Sequence, residues 1–511
     1  MRTTLLGAAA WLVTAPLFAM PNAAAQSVDD SAFAVGTLTR AEGALGPDLW
    51  AGAEAEAVGR LLAALPNRYA EPAYLDLARR VLLSPGQGPS GADNALAGEK
   101  LLAAARLGFY REAGELAELA PGLSREPALS KVSAIASLLD GDVPGACARG
   151  AGLRAGRADA FFLKLRFVCY VETGESEAAD LTLGLMRDQA ILTEGDERVF
   201  TALATSGSLG SSVSPEDAFQ YAAADMLGAQ VSEAALSEVP GGVLAAVARD
   251  ADAPEPLRLA ALERALAYGV IGASEGRALA GQLATTALAE DVVLLAAAPR
   301  GASAEALALA EALRGAPDWP GFRARVALVA PQLGRAASQA TPEDAPILLL
   351  AAITAGLGEA SDTLARIAAQ DPNGDPARLD ALRRLAADIL VADGEPLPPA
   401  PLADRLAASG ASVPGLVEGA LSAAAARSEG TAALAALVGL GVDAEGEAED
   451  IRAALVADML ERSGQAAAVE RRRALDERGA ALLGAGGTAN NDEAMRDTSG
   501  EPTPRLKPRR G

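Results

Sequence analysis

The sequence predicts an all-α chain, an α-α superhelix (solenoid) of stacked helix pairs, and three observations carry that expectation. Alanine dominates an apolar share of 50% in 511 residues, and alanine has the highest helix propensity of any residue. Aromatic residues make up only 4%, and no long Val/Ile/Thr alternation supplies strand material. Gly108, Gly141 and Gly174 recur at a constant interval of 33 residues, each inside a helix–turn–helix pattern. A period of that length marks helical repeat arrays.

The first element is a leader. Arg2 provides the positive start, Leu5 to Phe18 is free of charge, and Pro21 precedes Asn22, Ala23, Ala24 and Ala25. The small-residue rule predicts a signal peptide over 1–25, cleaved after Ala25. The apolar stretch is shorter than the ~20 residues a span needs, and Pro16 interrupts it. The mature chain is therefore expected to be periplasmic or secreted, with no membrane insertion after cleavage. A preference for Ala, Gly, Arg and Pro over Lys and Asn is that of a GC-rich coding sequence, so a bacterial source is expected.

N-terminal helical repeats are expected over 26–205, clearest at 95–188. The units run from Leu101 to Leu119, Pro127 to Leu153 and Ala158 to Met186. Glycine at each internal turn ends one helix in the left-handed conformation. Five residues later stand Ala113, Ala146 and Ala179, small enough to let the second helix approach the first. Gly108-Phe109-Tyr110-Arg111-Glu112-Ala113, closed by Pro121, resembles the G-x-Y-x-E-A…P half-motif of the tetratricopeptide repeat family. Gly174-Glu175-Ser176-Glu177-Ala178-Ala179 is a looser match. The resemblance covers about a quarter of the chain, and the repeats are degenerate because the usual first-helix aromatic is inconsistent. It implies helix-pair stacking and a concave protein-binding groove, and no catalytic residues.

Cys147 and Cys169 are the only cysteines. In an exported chain an even pair predicts a disulfide, the alternative being two buried thiols. Their register puts Cys147 in the second helix of one unit and Cys169 in the first helix of the next. Tyr110, Phe161, Phe162 and Tyr170 are the candidate anchors for a partner, with plain core packing as the alternative.

Ser206 to Ser212 is rich in Ser and Gly and predicts a flexible joint over 206–213. C-terminal helical repeats are expected over 214–483. Helical spacing is clear at Ala304 to Leu313, Pro376 to Leu390 and Asp450 to Leu475. Gly358, Gly394, Gly430 and Gly464 repeat the glycine spacing only loosely. Ser214-Pro215-Glu216-Asp217-Ala218 and Thr341-Pro342-Glu343-Asp344-Ala345 are near-identical helix starts, with Ser/Thr as cap and Pro at the first helical position. From Gly484 on, Gly, Asn, Asp, Thr and Pro predict a disordered tail over 484–511.

Composition excludes much chemistry. There is no histidine, which removes the commonest general base and metal ligand and every Ser-His or Cys-His pair. With 44 Lys+Arg against 67 Asp+Glu, the formal net charge is −23. Such a body repels nucleic-acid phosphates and anionic lipid. The acidic run Asp443 to Asp450 and the turn Asp371 to Asp375 lack the EF-hand order, so they are expected to be a helix entrance and a turn. No cofactor or metal is expected. The functional expectation is a non-catalytic scaffold or adaptor for an envelope protein or peptide partner. The alternative is a carboxylate-dependent carbohydrate- or wall-active enzyme on a helical scaffold, which would need two acids flanking a cleft.

Overall fold

The computed structural model describes residues 32–69, 71–120, 122–123, 125–210, 212–283, 302–390, 428–441 and 447–496. The expected signal peptide lies outside them, as do Gly394 and the first half of the Asp443 to Asp450 run. Among the described residues the fold is all-α, with 21 helices that pack on their neighbours in chain order. The strand content is one parallel pair of two-residue strands, β1 (Ser212–Val213) and β2 (Gln230–Val231).

The three glycine-punctuated units fold as read. They are α3 (Asn94–Leu107) with α4 (Tyr110–Leu119), α5 (Pro127–Leu139) with α6 (Val143–Gly152), and α7 (Ala160–Glu172) with α8 (Ser176–Asp188). They follow α1 (Ala55–Ala64) and α2 (Pro72–Leu83). Gly108, Gly141 and Gly174 take φ of 115°, 76° and 76°, a conformation that strains any residue with a Cβ. Ala113, Ala146 and Ala179 are buried at the helix contacts, where a larger side chain would push the pair apart. Local chemistry sets the starts. Asp93 accepts from the Leu96 amide, Asp142 from Gly145 and Asp159 from Phe161, satisfying amides that have no partner inside their helix.

Ionic ties join each unit to the next at a separation of about one repeat. Arg111 meets Asp140, 29 residues on; Lys131 meets Asp159, 28 on; Lys164 meets Asp196, 32 on. The last is the deepest. Lys164 Nζ is 2.6 Å from the Asp196 carboxylate, which is fully buried. Gln220 Nε2 and the Thr193 amide donate to the same group at 3.3 and 3.0 Å. Burial pushes this carboxyl up, but the hydrogen bonds from Lys164 and Thr193 more than offset it, leaving its pKa below the ordinary carboxylate value.

That tie draws in α9 (Glu194–Ala204) and α10 (Ala218–Met226). Between them, the segment expected as a flexible joint supplies β1, and Ser232 donates its amide back to the Val213 carbonyl. The helix after the joint begins at Ala218, with Asp217 as its cap through the Gln220 amide. The second near-identical pentapeptide behaves alike: its helix begins at Ala345. In both, the structure corrects the expected start by several residues. The Ser/Thr-Pro-Glu stretch forms the turn before the helix; Asp217 caps the first helix through Gln220, whereas in the second Asp344 makes no capping bond and Thr341 Oγ1 accepts the Asp344 amide at 3.2 Å.

Next come α11 (Gly241–Arg249), α12 (Glu255–Tyr268) and α13 (Ala273–Leu283). They are followed by α14 (Ala302–Arg314), α15 (Trp319–Ala336), α16 (Ala345–Thr354), α17 (Gly358–Ala368) and α18 (Pro376–Leu390). The last three are α19 (Glu429–Leu440), α20 (Glu447–Arg462) and α21 (Ala466–Arg496). The pattern from Asp450 to Leu475 is thus two helices, broken at Gly464 with φ 68°. Gly358 opens a helix and Gly430 lies within one, so of the downstream series only Gly464 among the described residues is a turn. The backbone of α21 continues past Gly484 to Arg496; residues 497–511 lie outside the described residues.

One hydrophobic cluster takes in buried residues from Phe33 to Leu475, so both expected blocks share a core. Each fully buried Leu, Val or Phe contributes about 1.5–3 kcal/mol through removal from water. Early and late helices also meet. α1 and α2 pack on α19, and α2 packs on α21. Tyr69 donates its hydroxyl to the Leu437 carbonyl at 3.0 Å, Ser428 donates to Leu49 O at 2.9 Å, and Arg473 pairs with Glu71. α21 further lies on α15, where Trp319 Nε1 and Arg323 reach Asp476 at 2.9 and 3.0 Å. A Cβ at Gly479 would fall 2.2 Å from the Trp319 ring, so the absent side chain lets this contact form.

Candidate partner-binding groove

The predicted disulfide is present. Cys147 on α6 and Cys169 on α7 are bonded, with Cα atoms 5.6 Å apart and a sequence separation of 22. It fastens the second unit to the third.

The four predicted anchors fare differently, and two must be corrected. Tyr110 and Phe162 are buried in the core and have no surface to offer a partner. Tyr110 sits under the Arg249 guanidinium, 4.9 Å from ring centre to Cζ, and donates its hydroxyl to Asp140 at 3.0 Å. Burial pushes its phenol up to about 12. Phe161 is half-buried and meets Phe219 of α10 edge-on at 4.9 Å. Tyr170 is half-buried too and keeps a share of surface. The physical reason is a second layer. α10 and α11 come back onto α5, α7 and α3, and helical spacing in one segment does not show what a later segment will cover.

What the units leave open is a groove of about 410 Å³ between α4 and α5. Gly114, Ala136 and Ser137 form its low parts, and Glu115, Glu118, Asp140 and Asp142 line it together with one cation, Arg111. Arg111 is turned inward to Asp140 at 2.7 Å. Glu118 accepts from Ser133 and pairs with Arg149 at 2.8 Å. Asp142 holds the Gly145 amide at the head of α6. These bonds fix Asp140, Glu118 and Asp142 in place before any ligand arrives.

Arg249 steadies the rear of the groove. Its Nε and Nη2 donate to the two oxygens of Glu275 at 2.8 and 3.0 Å, the two-pronged geometry that makes such pairs strong. Burial raises the Glu275 carboxyl, and the Arg249 bond more than offsets it, so its pKa lies below the ordinary value. Glu112, nearby, is pushed upward by burial.

Sequence reasoning weighed the aromatics of these units and passed over their acids. A signal was present: Arg111, Glu115 and Glu118 fall at i, i+4 and i+7 on α4, one polar stripe along a helix face. Among the described residues, no group of three or more His, Cys, Asp or Glu is arranged to hold a metal ion, and the Asp371 to Asp375 segment is a turn, with Asp371 accepting from the Asn373 amide. Comparison with protein-family models, with curated proteins and with solved structures gives no match.

Proposed function

We propose that the protein is a non-catalytic helical-repeat adaptor of the bacterial cell envelope that holds a basic segment of a protein partner in the groove between α4 and α5. The observation that supports this most is the charge of the groove: four carboxylates line it, and with Asp140 paired to Arg111 and Glu118 to Arg149, Glu115 and Asp142 keep it negative. Lys or Arg side chains entering it would replace water around acids that are already oriented, and charge complementarity of this kind speeds encounter and selects partners. The disulfide favours an oxidising compartment. No helix among the described residues is long and apolar enough to cross a membrane. The tetratricopeptide-like grammar of the units belongs to the same reading.

The same acids also give the enzymatic alternative a place to act, since glycoside cleavage needs two carboxyl groups flanking a bond. The engagement of Glu118 by Arg149 and of Asp140 by Arg111 and Tyr110 favours holding a cation over donating a proton.

The test is a photo-activated cross-linker at Ser137, on the groove wall, in cells that make the protein at its normal level. The expected result is an adduct with one protein, reduced about tenfold or more by Glu115→Lys with Glu118→Lys. Monomer alone across growth conditions, or an adduct indifferent to the charge reversal in a folded variant, would sink the proposal.

A further inference from the structure

A second cavity lies far from the groove in sequence, in the C-terminal half. It measures about 740 Å³, within the range of small-molecule sites. It forms where the loop after α14, the start of α16, the turn between α17 and α18, and α21 come together. Pro317, Pro346, Ile347, Leu379 and Leu483 give it apolar walls. Two arginines also line it, and their situations differ.

Arg314 is satisfied: it pairs with the buried Asp344 at 2.7 Å and donates to the Glu343 carbonyl at 3.2 Å. Arg378 is not. Its Nη2 donates to the Leu482 carbonyl at 3.2 Å, and its Nε is buried with no hydrogen-bond partner. Nε–H is the donor of this guanidinium that burial leaves without a partner. Burial, with the repulsion of Arg314, lowers its pKa, opposed by Asp375; a bound anion would relieve both. A buried donor without a partner is destabilising, so the guanidinium beside this ligand-sized space has a hydrogen bond still to give.

The rim decides which anion fits. Glu343, Asp371 and Asp375 also line the cavity. Asp371 and Asp375 each have an oxygen committed, to the Asn373 and Ala377 amides respectively. They still carry charge, and their repulsion grows with the charge of the guest. A single unpaired guanidinium matches one carboxylate, and the walls match a hydrocarbon body.

We propose that this cavity binds a small apolar monocarboxylate, its carboxylate on Arg378 and its body against Pro317, Ile347, Leu379 and Leu483. The site is separate from the groove and does not depend on the adaptor reading.

The test uses the purified chain, with decanoate, decanol and decyl phosphate as probes below their micelle concentrations, measured by titration calorimetry. Decanoate should bind with a stoichiometry of one. Arg378→Gln should weaken it about tenfold or more, and decanol and decyl phosphate should each bind more weakly than decanoate by a similar factor. Because Arg378→Gln also gives up the bond to Leu482 O, a second variant, Ala369→Trp, fills the space from an exposed wall position and should abolish binding in a protein with unchanged circular dichroism and Tm. The proposal is overturned by no decanoate binding to the intact chain, by equal affinity in Arg378→Gln, by survival of binding in Ala369→Trp, or by tighter binding of the alcohol or phosphate.

Discussion

The stretch from α3 to α8 and the stretch from α14 to α21 are both stacked helices, yet they are tied together on different length scales. In the first, the shortest ion pairs between units close over 28 to 32 residues, one repeat at a time, and a disulfide spans 22; the longer reaches, Lys164 to Asp217 at 3.9 Å and Arg111 to Glu275 at 3.5 Å, are the looser ones. The second begins alike, with Arg314 to Asp344 and Arg335 to Glu305 both at a separation of 30. Its last helix then breaks the habit. α21 reaches Asp388 across 90 residues, Trp319 across 157 and Glu71 across 402. Local ties make a regular array whose open face carries the groove. Distant ties make an irregular junction, and the cavity with the unspent arginine lies at its edge.

The sharpest way to break the contrast is to cut the deepest local tie. Asp196→Ala leaves Lys164 among apolar neighbours with only Asp217, 3.9 Å away, for company. Breaking a buried pair costs about 3–5 kcal/mol, and partial exposure of Lys164 places the expected loss near the lower end. Urea unfolding gives the size, and hydrogen exchange should place the loosening in α7, α9 and α10. Exchange spread evenly over all helices would contradict a unit-by-unit array.

The disulfide comes next. Cys147→Ser with Cys169→Ser should cost about 3 kcal/mol by the loop-entropy estimate, read as a fall in the urea midpoint at unchanged slope. The effect should be confined to α5 to α8, with the Trp319 region protected.

Gly479→Val probes the distant ties. Its side chain would enter the Trp319 ring, and overpacking of this kind costs about 1–3 kcal/mol. Loosening should appear in α15 and α21 together despite their separation in sequence. Loosening of α21 alone would deny the long-range contact.

The probe with the smallest effect per step is pH. Lys100, on the first helix of the regular array, is buried and donates to the Phe33 carbonyl at 2.6 Å, beside the Phe33 ring. Burial lowers its ammonium from 10.5 to about 7. The unfolded chain therefore binds more protons than the folded one between pH 7 and 10.5, and stability rises with pH across that window and is flat in this group below it. The slope is at most about 1.4 kcal/mol per pH unit. Lys100→Met should remove it, seen as the difference between the two proteins' urea midpoints at pH 7 and pH 9.5. Equal pH profiles would contradict a depressed ammonium.

The same contrast explains what was legible beforehand. Gly108, Gly141 and Gly174 need only their own backbone conformation, and Ala113, Ala146 and Ala179 only the facing helix, so the pattern announces them. The cysteine pair was legible because it follows that register. The contact of Trp319 with Asp476 and the packing of Gly430 on Trp50, where a Cβ would fall 2.7 Å from the ring, depend on segments far apart, and nothing local marks them. The anchors failed for a related reason: Tyr110 and Phe162 sit on helices whose outward face a later layer covers. The stripe of Arg111, Glu115 and Glu118 is legible in the sequence, because it needs only the spacing of its own helix. The arginine of the cavity was not, because an unpaired guanidinium is defined by what fails to reach it.

The account rests most heavily on the regular array being the surface that partners use. Photo-cross-linkers placed singly at Ser137 in the groove and at Leu307 on α14, 48% exposed, compare the two regions in one experiment. The account predicts a discrete protein adduct from Ser137 and none from Leu307. An adduct from Leu307 with Ser137 silent would contradict it.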